Sequence, residues 1–400
     1  MADSDPPQRG NALLNSSWSQ ATGSDDGRMP TENDCIFDWL ALERIPRVGP
    51  LTIARLYDAF GSPRAAMEAN PREIRQRAGL SEKLAHVIAD FRPPRDDIVR
   101  EMEILRKLDA RIISRWDEDY PPNLKEIYDP PALLFVRGEI ISQDSRAVAV
   151  VGARNPTRYG LDMTEQISGD LIREGITLVS GLARGIDTAC HKAALKGGGR
   201  TIGVLGCGLD VSYPRENKDL IEEMAKAGAV ISEFRPGVAP LATNFYRRNR
   251  IVSGLAKGIL VVEATLNSGS LITAAHALDQ NRDVFAVPGN VMNKRSSGPH
   301  HLLKQGAGLV ESADDIVQAL FTPLAAKAQA SLFEASDEGE KLSQTARVVL
   351  EALDPDPVPI DLLGETLKID AGILSGALVE LELHGLIRQY PGKMFARVLG

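Results

Sequence analysis

Five apolar, β-branched runs in the middle of the chain constrain its fold more than any other feature. They begin at residues 147, 176, 201, 258 and 283 and read AVAVVGA, ITLVSG, TIGVLGCG, GILVVEA and DVFAVPG. Most end in glycine turns, and helical stretches separate them. Strands without alternating polar residues are typical of a parallel sheet that is covered on both faces. The pattern therefore predicts an α/β fold with a Rossmann-like, doubly wound sheet, whose ligands bind at the carboxyl ends of the strands.

The segment before this sheet is predicted to form a separate helical domain. Residues 34–110 place apolar residues three and four positions apart, and glycine turns interrupt the pattern. The resulting helix, turn, helix units resemble SAM or helix-hairpin-helix modules. Because this segment has no net charge, its contact with DNA is left open. The extended Rossmann-like domain is assigned to residues 111–320.

Three other segments complete the predicted organisation. Residues 1–33 are rich in Ser, Asp, Asn, Gly and Pro, which predicts a disordered tail because such a composition cannot offset the entropy of ordering. Residues 321–342 are small and acidic, which predicts a linker. Residues 343–400 predict three helices and a β-wing, an arrangement that resembles a winged helix.

The third helix of this winged-helix-like domain is acidic. It carries Asp370, Glu380 and Glu382 but no Lys or Arg. Neutralisation of phosphates supplies most nonspecific affinity for DNA. The sequence therefore favours a protein-contact or regulatory role for this domain over the reading of a DNA groove.

The net charge of the chain, −8, is not spread evenly. Residues 111–320 have a formal charge of zero, so the excess acid lies outside the predicted sheet domain. Within that domain, residues 234–262 contain no Asp or Glu and five cations, which are Arg235, Arg247, Arg248, Arg250 and Lys257. A local basic footprint of this kind is expected of a phosphate-binding surface.

Several functional classes lack the sequence features that they need. No apolar run approaches the roughly 18 residues of a membrane helix, and the N-terminus does not look like a signal peptide, so we expect a cytoplasmic protein with no membrane partner. Three distant cysteines, Cys35, Cys190 and Cys207, predict reduced thiols. The dinucleotide-binding and Walker motifs are both missing, and no spacing supports a metal site or a nucleophile with its base. The sequence predicts no cofactor, no metal and no catalytic residue.

A few ionisable residues near strand ends could nevertheless do acid or base chemistry. Asp187, Glu233 and Glu263 are more simply explained as partners of arginines or as helix caps. His191 and His276 lie on apolar helices, where a lone histidine is usually a hydrogen-bonded packing residue.

Several strand-to-helix turns have the composition of anion sites. Ser180 and Gly181 follow the second run, and Ser268, Gly269 and Ser270 precede a helix, so backbone amides and hydroxyls are offered where the helix dipole favours negative charge. Cations recur at successive strand ends, as Arg154, Arg158, Arg184 and Arg215. Because these ends lie along one edge of a doubly wound sheet, we expect a continuous cationic groove that suits a polyanion.

The densest cationic stretch also contains two aromatic residues. TNFYRRNRIVSG, residues 243–254, places Phe245 and Tyr246 beside Arg247, Arg248 and Arg250. An aromatic face on which a base can stack, next to cations, is typical of single-strand recognition. The alternative is that Phe245 belongs to the core and that the arginines of the following helix face solvent.

The motifs together, in their order along the chain, resemble the DNA-processing protein A family. They include VVGARNPTRYG, LVSGLARGIDTACHKAAL, GRTIGVLGCGLDVSYPRENKDL, SEFRPG, FYRRNRIVSGLAKGILVVEA, SGSLITAAHALDQNRDVFAVPGN and GPHHLLKQGAGLV. The resemblance covers about residues 111–315. It implies a protein of natural transformation that binds and protects incoming single-stranded DNA, loads the RecA recombinase onto it, usually acts as a dimer, and has no established catalysis.

The resemblance also implies a set of DNA-binding residues. The family's phosphate loop falls on Gly152, Ala153 and Arg154, and its basic residue after Tyr-Pro falls on Arg215. Its aromatic and basic segment falls on Phe245, Tyr246, Arg247, Arg248, Asn249 and Arg250. Two departures are that Ala153 lacks the usual hydroxyl and that Tyr246 replaces a proline, which leaves open which aromatic residue stacks on bases.

Two other functions remain open at this point. Related glycine turns occur in cytokinin-activating, lysine-decarboxylase-like (LOG-like) nucleotide phosphoribohydrolases, but NSGSLITAAHA lacks the acidic residue that such an enzyme needs at this turn. A purely protein-binding scaffold is the third possibility. We expect a non-catalytic DNA-binding protein.

Overall fold

The computed structural model describes residues 32–322, 342–353, 358–390 and 394–397. These residues fall into two compact units, one up to Thr322 and one that comprises the described residues from 342 onward. The predicted disordered tail and linker fall mostly outside the described residues. The last two residues of the predicted tail form the start of helix α1 (Glu32–Glu43).

The first unit is built on a nine-stranded sheet. Its strands are β1 (Ala110–Ser114), β2 (Leu133–Gly138), β3 (Ala147–Val151), β4 (Thr177–Ser180), β5 (Thr201–Leu205), β6 (Ala229–Ser232), β7 (Gly258–Val261), β8 (Asp283–Ala286) and β9 (Gly308–Leu309). The five apolar runs form β3, β4, β5, β7 and β8, as predicted. Strand β6 was not among the predicted runs.

The strand order makes this a doubly wound sheet. The order is β1-β2-β6-β5-β4-β3-β7-β8-β9. The last seven strands in this order, beginning with β6, run parallel to one another. Strands β1 and β2 add antiparallel pairs at one edge. The chain proceeds outward from β3 in one direction and from β7 in the other, so the switch point lies between these two strands, where such sheets bind their ligands.

The sheet is buried on both faces, which explains the unbroken apolar runs. In β3, Ala149 packs in the core on one face and Val148 in the core on the other, and neither is exposed to solvent. The covering helices are α7 (Pro122–Lys125), α8 (Arg158–Arg173), α9 (Ile186–Lys196), α10 (Lys218–Ala227), α11 (Ala242–Leu255), α12 (Gly269–Asp279), α13 (Ser297–Lys304) and α14 (Ala313–Phe321).

Six helices at the start of the unit form the helical domain that the sequence predicted. They are α1, α2 (Pro50–Phe60), α3 (Pro63–Glu68), α4 (Pro71–Ala78), α5 (Glu82–Ala89) and α6 (Arg95–Lys107). Side-chain caps set several of their starts, including a capping box between Asn70 and Glu73. The domain packs against the sheet domain, because Trp116, which follows β1, stacks on Tyr57 and Trp39 at ring distances of 4.1 and 5.7 Å.

The second unit has the predicted winged-helix arrangement of three helices and a β-wing. Its elements are α15 (Gln344–Glu351), β10 (Val358–Pro359), α16 (Ile360–Leu367), α17 (Ala371–Leu383), β11 (Ile387–Tyr390) and β12 (Met394–Arg397). The three strands pair in the order β10-β12-β11. Glu380, one of the acidic residues of α17, accepts hydrogen bonds from the backbone nitrogen and hydroxyl of Ser343 at 2.6 and 2.7 Å. This carboxylate therefore ties α17 to the start of α15.

Across the described part of the chain, no helix is both long and apolar enough to span a bilayer.

Candidate nucleic-acid interface

A cleft lies at the carboxyl ends of β3, β4 and β5. It consists of two adjoining hollows of about 660 and 690 Å³. Both hollows share one set of lining residues, which are Arg154, Gly181, Ala183, Tyr213, Pro240, Phe245 and Arg248. The cleft thus occupies the edge of the sheet where the sequence predicted ligand binding, and residues from separate loops meet in it.

Most of the predicted site residues line this cleft. The first hollow adds Arg215, and the second adds Gly152, Asn249, Ser268, Gly269 and Ser270. Ser180, Arg247 and Arg250 are not among the lining residues.

Two arginines of the cleft have no acidic partner. Arg154 and Arg215 are exposed, and neither has a carboxylate within 4.0 Å among the described residues. Arg184, in the same hollow, is instead paired with Glu216. The two unpaired guanidinium groups are therefore the cations of this cleft that are available to an anionic ligand.

Arg248 supplies a third positive charge from the floor of the cleft. Its guanidinium is buried and donates from Nη1 to the carbonyl oxygens of Gly181 and Val204. Burial lowers the pKa of Arg248 to about 10, so the side chain stays protonated at neutral pH. Gly181 must lack a side chain here, because a Cβ would lie 2.6 Å from Nη1 of Arg248.

Phe245 places an aromatic ring between these cations. Its ring centre lies 6.0 Å from Cζ of Arg154, 5.8 Å from Cζ of Arg248 and 5.2 Å from the ring of Tyr213. The side chain is half-buried and lines both hollows, so Phe245 is neither a simple core residue nor a fully exposed one. Tyr246 is 56% exposed and lines only the second hollow, with its ring edge-on to His276.

Arg250 does not lie in the groove where the sequence placed it. Its side chain is 8% exposed and is paired with Glu233 at 2.6 Å and with Asp129 at 3.2 Å. Arg247 is half-exposed and lies 3.6 Å from the same Glu233. The phase of α11 is the reason, because Phe245, Arg248 and Asn249 lie on the face towards the cleft while Arg247 and Arg250 lie on another face.

Ser180 is also not a surface residue of the cleft. Its hydroxyl donates to the carbonyl oxygen of Val150 at 2.6 Å, and the residue is fully buried as the last residue of β4. In the other predicted turn, Ser268 caps α12, and the Ser270 hydroxyl donates to the carbonyl oxygen of Gly152 at 2.8 Å. That bond joins the turn before α12 to the turn after β3, so these two turns are parts of one wall.

Comparison with known proteins identifies the family that has these motifs. A family model described as DNA recombination-mediator protein A matches residues 111–321, which is more than half of the 400-residue chain. The chain belongs to the DNA processing protein A family. Models of the DprA-like N-terminal HHH domain and the DprA winged helix domain match residues 33–103 and 333–393.

Individual family members are similar over most of their length. Protein Smf of Escherichia coli is 40% identical over 322 residues, covering 80% of this chain and 85% of that protein. DNA processing protein DprA of Streptococcus pneumoniae is 47% identical over 201 residues, covering 50% of this chain and 71% of that protein. The X-ray structure of the Streptococcus pneumoniae protein aligns with a TM-score of 0.63 at 35% identity, covering 72% of this chain and 99% of that one. The predicted family and the predicted fold class are both confirmed.

Of the acidic residues near the strand ends, Glu233 is paired with an arginine, as predicted, whereas Glu263 and Asp187 accept hydrogen bonds from backbone nitrogens. Glu263 accepts hydrogen bonds from the backbone nitrogen and hydroxyl of Thr157 at 2.8 and 2.5 Å, at the start of α8. Asp187 accepts a bond from the backbone nitrogen of Ala183 at 3.3 Å. Burial raises the pKa of Asp187 to about 6, although the nearby Arg248 opposes the shift.

His191 is the packing residue that the sequence suggested. Its Nδ1 lies 2.7 Å from the Thr201 hydroxyl, and burial lowers its pKa to about 3, so the imidazole is neutral. No group of three or more His, Cys, Asp or Glu residues that could hold a metal ion occurs in the described part of the chain.

Sequence reasoning missed two residues of the cleft of this family member. Tyr213 is 38% exposed and lines both hollows beside Phe245. Its position two residues before Arg215, in the turn after β5, was the available signal. Gly206 is the second, since a Cβ there would lie 2.7 Å from the Phe245 ring, so this glycine makes room for the aromatic side chain.

Proposed function

We propose that this protein binds single-stranded DNA in the cleft and acts as a recombination mediator without catalysing a reaction. In this proposal it protects incoming single strands during natural transformation and loads the RecA recombinase onto them. It acts as a cytoplasmic homodimer and needs no cofactor. The description of the matching family model as a DNA recombination mediator supports the proposal.

The observation that carries the proposal is the position of Phe245 among three guanidinium groups. Arg154 and Arg215 are exposed and unpaired among the described residues, and Arg248 is fixed in the floor. In a polynucleotide, the phosphates can bind the cations of this cleft and the bases can stack on the ring. Stacking of a base on an aromatic side chain contributes about 1 to 3 kcal/mol and does not depend on the base, so the proposed binding is sequence-independent.

A single strand suits this cleft better than a stacked duplex does. Both hollows are lined by the same half-buried ring, so a base stacks on Phe245 only when its face is open. In a duplex the base faces are covered by neighbouring pairs, whereas a flexible strand can turn a base toward the ring.

Fluorescence anisotropy with a labelled oligothymidine tests the proposal. We expect Arg154→Ala and Arg215→Ala each to weaken binding and to reduce the slope of log K against log salt by about 0.7, because each removes one phosphate contact. Arg173→Ala is the matched control, since Arg173 is exposed and lies at the far end of α8, paired with Asp170. Wild-type protein that fails to bind the oligonucleotide, or an Arg154→Ala variant with unchanged affinity, would contradict the proposal.

The partner assignments need separate measurements. Gel filtration and crosslinking with and without oligonucleotide test the homodimer. Co-precipitation of purified RecA with the oligonucleotide-bound protein tests the recombinase contact. A monomer at all concentrations, or no RecA retained, would remove that part of the proposal and leave DNA binding intact.

The LOG-like phosphoribohydrolase remains the alternative, and one observation favours it. Asp187 lines the second hollow as a buried carboxyl whose pKa is raised to about 6, and such groups occur in active sites. Incubation of the purified protein with nucleoside monophosphates tests this alternative. Release of free base that is lost in Asp187→Asn would establish the enzyme.

A further inference from the structure

A group of charged residues lies where the helical domain meets the sheet domain, outside the residues that line the cleft. We call it the junction cluster. The helical domain contributes Glu43, Arg44 and Glu101, the turn after β6 contributes Glu233 and Arg235, and α11 contributes Arg247 and Arg250.

The junction cluster holds the helix that presents the cleft residues. Oε2 of Glu233 lies 2.6 Å from Nη2 of Arg250 and 3.6 Å from Nη2 of Arg247. Both residues lie on α11, which presents Phe245 and Arg248 to the cleft. Glu233 thus fixes the side of α11 that faces away from the ligand.

The helical domain contributes the remaining ion pairs of the junction cluster. Glu101 on α6 accepts from Nη2 of Arg44 at 2.8 Å and from Nη1 of Arg235 at 3.1 Å. Glu43 on α1 lies within electrostatic range of Arg235, Glu233, Glu101 and Arg247. Glu233 and Arg235 lie in the same turn after β6, so this turn joins the α11 pair to the helical-domain pair in one network.

This network is costly for the fold. Glu43 Oε2, Glu101 Oε2, Glu233 Oε1, Arg44 Nε and Arg250 Nη1 are inaccessible to solvent and have no hydrogen-bond partner among the described residues. Burying unsatisfied charged groups is unfavourable, and apolar residues of similar volume are often at least as stabilising. Stability therefore does not explain why this network is present. Its attachment to α11 indicates that it positions this helix.

We propose that Glu233 is a positioning residue for the cleft and that the helical domain, through Glu101 and its partner Arg235, holds the turn that carries Glu233, so that α11 presents Phe245 and Arg248 to the ligand. This inference rests on the proposed DNA binding. It assigns the helical domain a role in the affinity of a cleft that none of its described residues lines.

The direction in which Glu233→Gln changes the affinity for DNA distinguishes positioning from simple electrostatics. Removing a carboxylate near a polyanion site strengthens binding if charge alone matters. Positioning requires the opposite result. We expect Glu233→Gln to weaken oligothymidine binding about tenfold, since coupling within one ion-pair network is of that order. The salt slope should not change, because no phosphate contact is lost.

A double-mutant cycle in the full-length protein tests the pair. Arg250→Gln alone leaves Glu233 without its closest partner, and Glu233→Gln alone leaves Arg250 in the same state. The double variant removes both charges, so we expect it to bind DNA more tightly than either single variant. If the double variant binds as weakly as Arg250→Gln, or more weakly, Arg250 contacts DNA directly and the proposal is overturned. Glu222→Gln, in a surface pair with Arg137, is the matched control and should bind as wild type does.

Glu101→Gln tests the part played by the helical domain. It should weaken binding, as Glu233→Gln does, and faster hydrogen exchange of α11 amides should accompany the loss while α8 stays protected. Unchanged affinity together with unchanged exchange in α11 would overturn this part. If the wild type itself binds no oligonucleotide, the proposed function fails, and the exchange of α11 alone then decides whether the junction cluster positions this helix. The same exchange measurement serves if Glu233→Gln proves too unstable to assay.

Discussion

The guanidinium of Arg154 and the ring of Phe245 lie 6.0 Å apart on two walls of one cleft, although 91 residues separate them in sequence. Arg154 belongs to the turn after β3, and Phe245 belongs to the first turn of α11. The doubly wound sheet is what brings them together, because the turn after β3 and the start of α11 both lie at the carboxyl edge. Cation and aromatic ring are thereby available to the same stretch of ligand.

Phe245→Ala should weaken the binding of oligothymidine about tenfold or more at constant salt, because the stacking surface is lost. The slope of log K against log salt should stay as in the wild type, since no cation is removed. Anisotropy titrations at several salt concentrations measure both quantities. Tyr246→Ala is the matched comparison on the same helix, and a larger loss there than in Phe245→Ala would assign the stacking role to Tyr246.

Gly181→Ala should damage both stability and binding. Its Cβ would lie 2.6 to 2.8 Å from the guanidinium atoms of Arg248, which is buried and has little freedom to move. We expect a loss of about 1 to 3 kcal/mol in the free energy of unfolding, which is typical of overpacking, together with weaker DNA binding. Urea denaturation and anisotropy measure the two effects. Gly169→Ala is the control, because nothing lies within 4 Å of its Cβ in α8, and it should be neutral or slightly stabilising.

Arg250→Ala should destabilise the fold strongly. It leaves the carboxylate of Glu233 buried without its closest partner, and breaking a buried ion pair in this way costs about 3 to 5 kcal/mol. Arg154→Ala, at an exposed and unpaired position, should change the free energy of unfolding by less than about 0.5 kcal/mol. Equal stability of the two variants in urea would show that Arg250 is not held as described.

Glu43→Gln should change how stability depends on pH. Burial raises the pKa of Glu43 from 4.5 to about 8, against the opposing influence of Arg235 and Arg247 and with support from Glu233 and Glu101. The folded protein therefore keeps a proton that the unfolded chain has lost, so this group makes the fold less stable as pH rises from about 4.5 to about 8. The slope is at most about 1.4 kcal/mol per pH unit for one proton.

Glutamine imitates the protonated form, so Glu43→Gln should remove this part of the decline and be more stable than the wild type at pH 8. Urea denaturation at pH 5.5, 7 and 8.5 measures the difference. Glu222→Gln should behave differently, because Arg137 lowers the pKa of Glu222, so that carboxylate contributes its full stabilisation above the unfolded pKa and loses it only as pH falls towards the folded pKa. A variant that follows the wild-type pH curve would show that Glu43 is ionised in the folded protein at neutral pH.

The sequence was most informative where a residue's place follows from the sheet alone. Arg154, Gly181 and Arg215 lie in the segments that follow predicted strands, and parallel strands end at one edge, so their meeting in the cleft could be predicted. Ser180 shows the limit of this reasoning, because whether a residue is the last of a strand or the first of a turn changes its exposure completely.

The residues of α11 could not be assigned in the same way. Spacing places Phe245, Arg248 and Asn249 on one face of a helix and Arg247 and Arg250 on another, but it does not say which face the cleft meets. Glu233, which is paired with the second face, comes from the end of β6, before the helix, and its pairing with Arg250 is a tertiary feature. Strand β6 was not predicted for a related reason, since it has only three apolar residues before Ser232 and a single glycine, Gly228, separates it from α10.

Arg248 has a consequence for how a bound polymer moves. Its positive charge is held by the carbonyl groups of two strands, so it cannot swing out to follow a phosphate as a flexible surface lysine does. The electrostatic attraction between this fixed charge and a bound DNA strand would be the same at every nucleotide step. It would not weaken when the strand shifts by one nucleotide. A rigid charge, rather than flexible side chains, would then allow the protein to retain the DNA strand while the strand slides through the cleft.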